Sequence, residues 1–187
     1  MTLLLEPQGD PNIDSVWTWF EFQIALISQS RSDVLRSISP CRSPVGAALR
    51  SHEARFFGFT QTEVEEFFEA QRGELELLTM FELLATTEAI LRIEVKARVT
   101  ARKKDPLSRR FRELARGGGD RIRLDEDILG AMKEDGVSAN IIAAFRGALK
   151  LRHWLAHGRH WHPKLGRGYA PSDVFDISRA LIQSIPA

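Results

Sequence analysis

Eleven residues near the C-terminal end, Arg152-His153-Trp154-Leu155-Ala156-His157-Gly158-Arg159-His160-Trp161-His162, hold four of the chain's five histidines and two of its four tryptophans, beside two arginines. Three chemistries compete for such a cluster. The imidazoles run His153-x3-His157-x2-His160-x-His162, and neutral imidazole ligates zinc. Against a metal, the glutamate of an HExxH helix is missing and the single cysteine, Cys41, lies far away in sequence. A second reading is structural: Trp154 and Trp161 anchor a helix end and the histidines are solvated. The third is phosphoryl transfer without metal, in which a histidine takes or gives the proton of a ribose hydroxyl and an arginine stabilises charge on the phosphate.

The cluster depends first on the helix that carries it. Ser138 is placed to cap a helix over Ala139 to about His157, and Gly158 to end it. On its wheel Ile141, Phe145, Ala148, Leu149 and Ala156 form an apolar stripe from which Arg152 projects. His153 and His157, four residues apart, share the adjoining face with Arg146 and Lys150. A second long helix is expected upstream. Thr60-Gln61-Thr62-Glu63 has the form of a capping box, Gly73 permits a break, and Glu74 opens a run without Pro or Gly to about Lys103. At about 100° per residue, Leu77, Phe81, Leu84, Leu91 and Val95 fall on one stripe with Glu88 in its middle. A buried carboxylate requires a cation or donor from another helix, or a polar cleft.

The remaining elements also read as helices. Asp14 is expected to cap a helix over Ser15 to Ile27, followed by an irregular Ser- and Arg-rich connection from Ser28 to Pro44, with at most a short helix at Ser32 to Ile38, and a further short helix from Val45 to Phe57. Asp105-Pro106 starts a helix to about Ala115 that carries Arg109, Arg110, Arg112 and Arg116 and runs into Gly117-Gly118-Gly119. These arginines read as a solvated face, or as contacts to an RNA backbone if they lie beside the histidines. Asp125 is expected to cap Glu126 to Glu134, Gly136 to stop that helix, and Pro171-Ser172-Asp173 to lead into a last one, Val174 to about Ser184. No run argues for a sheet. Charge is nearly balanced, 26 Lys plus Arg against 25 Asp plus Glu, so a polyanion would need a local patch rather than a general field. One cysteine excludes an internal disulfide and fits a reducing cytoplasm, Glu6 and the lack of a basic start argue against a signal peptide, and no apolar run approaches the ~20 residues of a membrane span.

The stretch Arg-His-Trp-Leu-Ala-His, residues 152 to 157, followed by Gly158, resembles the HEPN superfamily signature: an arginine, a polar residue and, after a short gap, a histidine. The context is similar too, since the motif sits on the second helix of a pair late in an all-helical domain. The resemblance covers about Thr60 to Ala187. It implies a small antiparallel helical bundle, commonly a homodimer, and in many members a metal-independent endoribonuclease of toxin-antitoxin, antiviral defence or RNA-processing systems. Other members are inactive and bind nucleotides or partner proteins. Carried over, Arg152 contacts the phosphate, His153 is the polar second residue, His157 is the catalytic histidine and Glu88 is the polar group from the preceding helix. Arg92, one turn beyond Glu88, and Arg159 and His160 within the cluster are further phosphate candidates, with Arg109 and Arg110 from the basic patch.

Arg152 and His157 are five apart, so on a regular helix their side chains diverge by about 140°. Either the helix frays at Gly158 or a second copy completes the site, because an isologous contact brings two motifs into one cleft. In the second case the surface around Trp154 and Trp161 is expected to be the dimer contact. In the opposing account those tryptophans pack within one subunit. The expectation is thus an all-α, HEPN-like bundle over residues 60–187 with a helical extension, residues 1–59, packed on it. Function is expected to be RNA cleavage at a homodimer interface without cofactor or metal, with an inactive nucleotide-binding or protein-interaction module as the alternative. RNA, a second copy and an antitoxin-like protein are the expected partners.

Overall fold

The structure, a computed structural model, describes residues 9–38, 54–118, 122–159 and 161–186. Those residues form six α-helices, one short 3-10 turn (Ala54–Phe56) and one π-helical turn, with no strand among them, so the all-α expectation holds. No helix among them is long and apolar enough to cross a membrane.

The first helix, α1, spans Ile13–Ile38. Its start is capped by Asn12, whose side-chain oxygen accepts the Asp14 N–H at 2.8 Å, rather than by Asp14, whose carboxylate pairs with Arg179 at 2.7 Å. The helix also runs on without a break through Ser28 to Ile38, where an irregular connection with a separate short helix at Ser32 to Ile38 was expected. Local bonds carry it: Ser32 Oγ donates to the Ser28 carbonyl at 2.9 Å, Gln29 bonds Asp33 at 3.0 Å, and Arg36 holds Asp33. Val34 is fully buried, which fixes this half of the helix against its neighbours. The expected helix from Val45 lies largely outside the described residues, and Ala54–Phe56 at its end is the 3-10 turn.

Helix α2, Gln61–Ala101, is the spine of the molecule. The capping box at its start is present in full, with Glu63 N–H donating to Thr60 Oγ1 at 3.3 Å and Thr60 N–H to Glu63 Oε2 at 2.8 Å. Gly73 does not interrupt it; the helix is continuous over 41 residues. Helices α1, α3 (Pro106–Gly118), α5 (Ala139–Ala156) and α6 (Pro171–Gln183) all pack on it. It therefore buries more than one stripe. Leu84, Leu91 and Val95 are buried as expected, together with Met80, Leu83, Thr79, Thr86 and Thr87, while Leu77 and Phe81 are half-buried. The hydroxyls of Thr79 and Thr87 donate to the Leu75 and Leu83 carbonyls at 2.9 and 2.7 Å, which satisfies them in the core. Two apolar clusters result. The larger joins Leu83, Leu84 and Leu91 to Phe111, Phe145 and Leu181, and the smaller joins Val34 of α1 to Phe56, Val64 and Phe68.

Asp105 caps α3 as expected, accepting the Ser108 N–H at 2.9 Å, with Pro106 at the first helical position. Asp125 does not cap the following helix. Its carboxylate is taken by Arg146 at 2.5 Å, and the chain enters α4 (Leu129–Glu134) through the π-helical turn Leu124–Ile128, where the Arg123 N–H finds Asp127 at 2.7 Å. Gly136, at φ +97°, stops α4 as expected. Helix α6 begins at Pro171, slightly earlier than expected, because Asp173 accepts the Ala170 N–H at 2.8 Å and Pro171 sits at its first turn.

The C-terminal end of α2 carries the most buried charge of the fold. The Arg98 side chain is 1% exposed and reaches Glu94 at 2.5 Å, Asp105 at 3.1 Å and the Pro186 carbonyl. One guanidinium thus ties α2 to the cap of α3 and to the chain's last turn. Burial pushes the Asp105 carboxyl up, but hydrogen bonds from the Ser108 hydroxyl and N–H, with the Arg98 charge, outweigh it and hold the group below the usual range. Replacing Arg98 by Ala is expected to destabilise the fold by about 3 kcal/mol, since it strands two carboxylates and a carbonyl. Denaturant unfolding of R98A against wild type measures it, and a loss near zero would contradict this role.

Candidate active site

Helix α5 lies on α2 and runs antiparallel to it, since Arg152 pairs with Glu88 while the later Arg159 pairs with the earlier Glu74. Phe145, Ala148 and Leu151 are buried in the core and Arg152 follows beside them, half-exposed. It emerges against the carboxylate that the wheel of α2 put among apolar neighbours. The Glu88 side chain is 15% exposed, with one oxygen 2.9 Å from the Arg152 guanidinium and the other 2.8 Å from that of Arg92, one turn along α2. Arg92 also reaches across to the Ile122 carbonyl at 3.1 Å. The Glu88 to Arg92 contact is an aligned hydrogen bond, 2.9 Å from Nε. The Glu88 to Arg152 contact is close in charge but poorly aligned, so Glu88 Oε2 and Arg152 Nε, both buried atoms, lack a hydrogen-bond partner among the described residues. Arg152 is held there by Coulomb attraction more than by directional bonding.

The other face of α5 carries the histidines. His153 and His157 have ring centroids 4.3 Å apart at an interplanar angle of 54°, as their spacing of one helical turn predicts. His157 is the C-cap, and its N–H donates to the His153 carbonyl at 3.2 Å. Beyond it Gly158 and Arg159 both turn left-handed, at φ +79° and +57°. The turn is closed by the Arg159 N–H on the Trp154 carbonyl at 3.3 Å. It swings the Arg159 guanidinium back over α2, where it binds both oxygens of Glu74 at 2.7 and 2.8 Å. The following segment folds back along α5: Trp154 Nε1 donates to the Trp161 carbonyl at 2.7 Å. Trp154 is thereby packed within the subunit, half-buried against the main core, whereas the Trp161 side remains 38% exposed. The tryptophan face expected at a dimer contact is therefore partly taken up inside the chain. Gly147 permits this return, because a Cβ there would stand 2.8 Å from the Tyr169 hydroxyl.

The predicted site residues fall into three groups. Arg152, Glu88 and Arg92 meet on the seam between α2 and α5, and His153 and His157 meet on the outer face of α5 near Trp161. Arg159 is spent on Glu74, and His160 lies outside the described residues. Arg109 and Arg110 stand apart from the cluster. Arg109 bonds the Lys104 carbonyl at 2.8 Å, just ahead of α3, and Arg110 faces Glu113 of α3 at 3.5 Å and Glu134 of α4 at 3.3 Å, so both are engaged locally. Among the described residues no three histidine, cysteine or carboxylate side chains converge as a metal cage. Two charged positions escaped the reading of the sequence. Arg98 follows Leu84, Leu91 and Val95 on the same apolar stripe, a signal that could have found it. Glu74 carried none, because its partner is 85 residues away.

No protein-family model matches the chain, and no curated protein or solved structure does either.

Two expectations follow from this geometry. The hydrogen bonds from Arg159 hold the Glu74 carboxyl below its ordinary range, so the pair's contribution is complete above that range and is lost as pH falls through the lowered value. In Arg159→Ala the Glu74 side chain, followed by NMR, should titrate at higher pH than in wild type; an unchanged midpoint would refute the pair. Glu88→Ala leaves Arg152 and Arg92 without their shared carboxylate and should cost about 1–3 kcal/mol in urea unfolding.

Proposed function

We propose that the chain is a metal-independent endoribonuclease of HEPN type whose site is completed by a second copy. The observation that carries this reading is the placement of Arg152, held against Glu88 on the α2–α5 seam, with the His153–His157 pair at the end of the same helix. The two halves of the motif address different faces of one chain. A two-fold dimer would bring the arginine of one copy towards the histidine of the other. In the proposed reaction His157 takes the proton of a ribose 2′-hydroxyl and the oxygen attacks the adjacent phosphorus. Arg152 stabilises the charge that develops on the phosphoryl oxygens. The bond to the 5′ oxygen breaks, that oxygen leaves with a proton, and the products are a 2′,3′-cyclic phosphate and a 5′-hydroxyl. His153 lies beside His157 and would orient its ring. A toxin-like or defence role and an antitoxin-like partner follow from the resemblance, a cytoplasmic location from the single cysteine, and all belong to the same proposal.

One observation favours a second reading, a catalytically silent module that binds a nucleotide or a protein. Arg152 already spends its charge on Glu88, as a structural arginine would. Incubating the protein with single-stranded RNA in chelator separates the two. Ribonuclease activity should give cyclic phosphate ends and fall by about 10²–10⁴-fold in His157→Ala and comparably in Arg152→Ala. Cleavage that survives both substitutions, or that requires added metal, would sink the mechanism; inert folded wild type would favour the module.

A further inference from the structure

The outer face of α5 and the segment that folds back over it line an open cleft of about 600 Å³, within the range of small-ligand sites. It lies beside the histidine pair and away from the Glu88–Arg152 seam. Its walls are Leu149, Pro163 and Leu165, and its polar rim is Arg146, Lys150, His153 and Lys164, with Asp125 as the one carboxylate. Trp154 and Trp161 close one end. The charges are unequal. Arg146 is neutralised, donating to the Asp125 carboxylate at 2.5 Å and to its carbonyl at 2.8 Å, which also holds the guanidinium in place. Lys150 and Lys164 have no ion pair or hydrogen bond among the described residues, and both are exposed. Two ammonium groups therefore face one opening without a counter-charge. Trp161 is 38% exposed, with its ring centroid 6.2 Å from that of His153, and the Nε1 of Trp154 is already satisfied by the Trp161 carbonyl, so the Trp154 ring adds π-surface rather than a donor.

Uncompensated cations beside a partly exposed indole, with an apolar lining, suit one ligand chemistry: a flat heteroaromatic ring joined to a phosphate. We infer that this cleft binds one nucleotide unit, its base on Trp161 and its phosphate between Lys150 and Lys164. The unit can come from a free mononucleotide or from a single strand of RNA. The site stands on its own lining and uses neither Arg152 nor His157. Only its role, holding the strand that is cut, rests on the ribonuclease reading.

The test titrates the full chain with a short 2′-O-methyl oligouridylate, which lacks the attacking hydroxyl, with AMP and with inorganic phosphate, following indole fluorescence and calorimetric heat. Wild type should bind the oligonucleotide saturably with a change in fluorescence. Lys150→Ala with Lys164→Ala together, and Trp161→Ala separately, should each weaken binding about tenfold or more, while Trp161→Phe recovers part of it. These are exposed side chains, and thermal unfolding should show the variants folded. AMP binding as tightly as the oligonucleotide assigns the site to free nucleotides; a clear preference for the oligonucleotide assigns it to a strand, and either outcome supports the site. Absence of binding, equal binding by wild type and all variants, or inorganic phosphate binding as tightly as AMP with no indole response would overturn it. The two proposals fail separately. An oligonucleotide that binds in the cleft while unmodified RNA stays intact leaves the cleft and removes the nuclease; RNA cut by a protein indifferent to these substitutions does the reverse.

Discussion

A charge withdrawn from water must find its opposite within a few ångströms, and α2 has to meet that demand twice on its packed side. At Glu88 the answer is a pair of arginines, Arg92 from the same helix and Arg152 from α5. At Arg98 it is Glu94, Asp105 and the Pro186 carbonyl. Both points lie in the C-terminal half of the spine. The first sets how α5 lies along α2. The second joins the start of α3 and the chain's last turn to the end of α2. Apolar burial by Leu83, Leu84, Phe111, Phe145 and Leu181 supplies the driving force, but it is non-directional, and the ion pairs select one alignment of the helices.

The alignment of α5 decides what its motif can do. With Arg152 anchored on the seam and Phe145, Ala148 and Leu151 buried, His153 and His157 are turned away from the core and come together on the far side. Arg159, which would otherwise extend the basic surface beside the histidines, is carried back to Glu74 by two consecutive left-handed residues. The end of α5 is consequently less cationic than its composition suggests. What positive charge is left unpaired near the histidines comes from Lys150 and Lys164, on the helix and on the return segment, and they share their opening with the tryptophans.

Much of the fold was legible in residues 60–186. The capping box at Thr60, the Asp105-Pro106 start, the stop at Gly136 and the end of α5 before Gly158 are local events, decided by side chains within four positions of the backbone group they satisfy. Within the candidate site, the contact of His153 with His157 and the anomaly of Glu88 on an apolar stripe are likewise matters of helical period. The failures have the opposite character. Ser28 to Ile38 reads as a connection with a separate short helix from Ser32, because serines compete for the backbone, yet burial of Val34 against Val64 and Phe68 keeps it continuous with α1. Asp125 reads as a cap and is instead claimed by Arg146, 21 residues on.

The sequence by itself determined that the chain is helical, where most of its helices begin and end, and that eleven residues at the end of one helix and just beyond it bring arginine, histidine and tryptophan together. Period and capping are short-range physics, and neither needs to know what lies across the core. Only the tertiary structure decided which cation Glu88 takes, that Arg159 is lost to Glu74, and that Trp161 folds over α5 to make a cleft. Each of those outcomes joins residues from separate elements, and such contacts depend on how the helices are laid against one another.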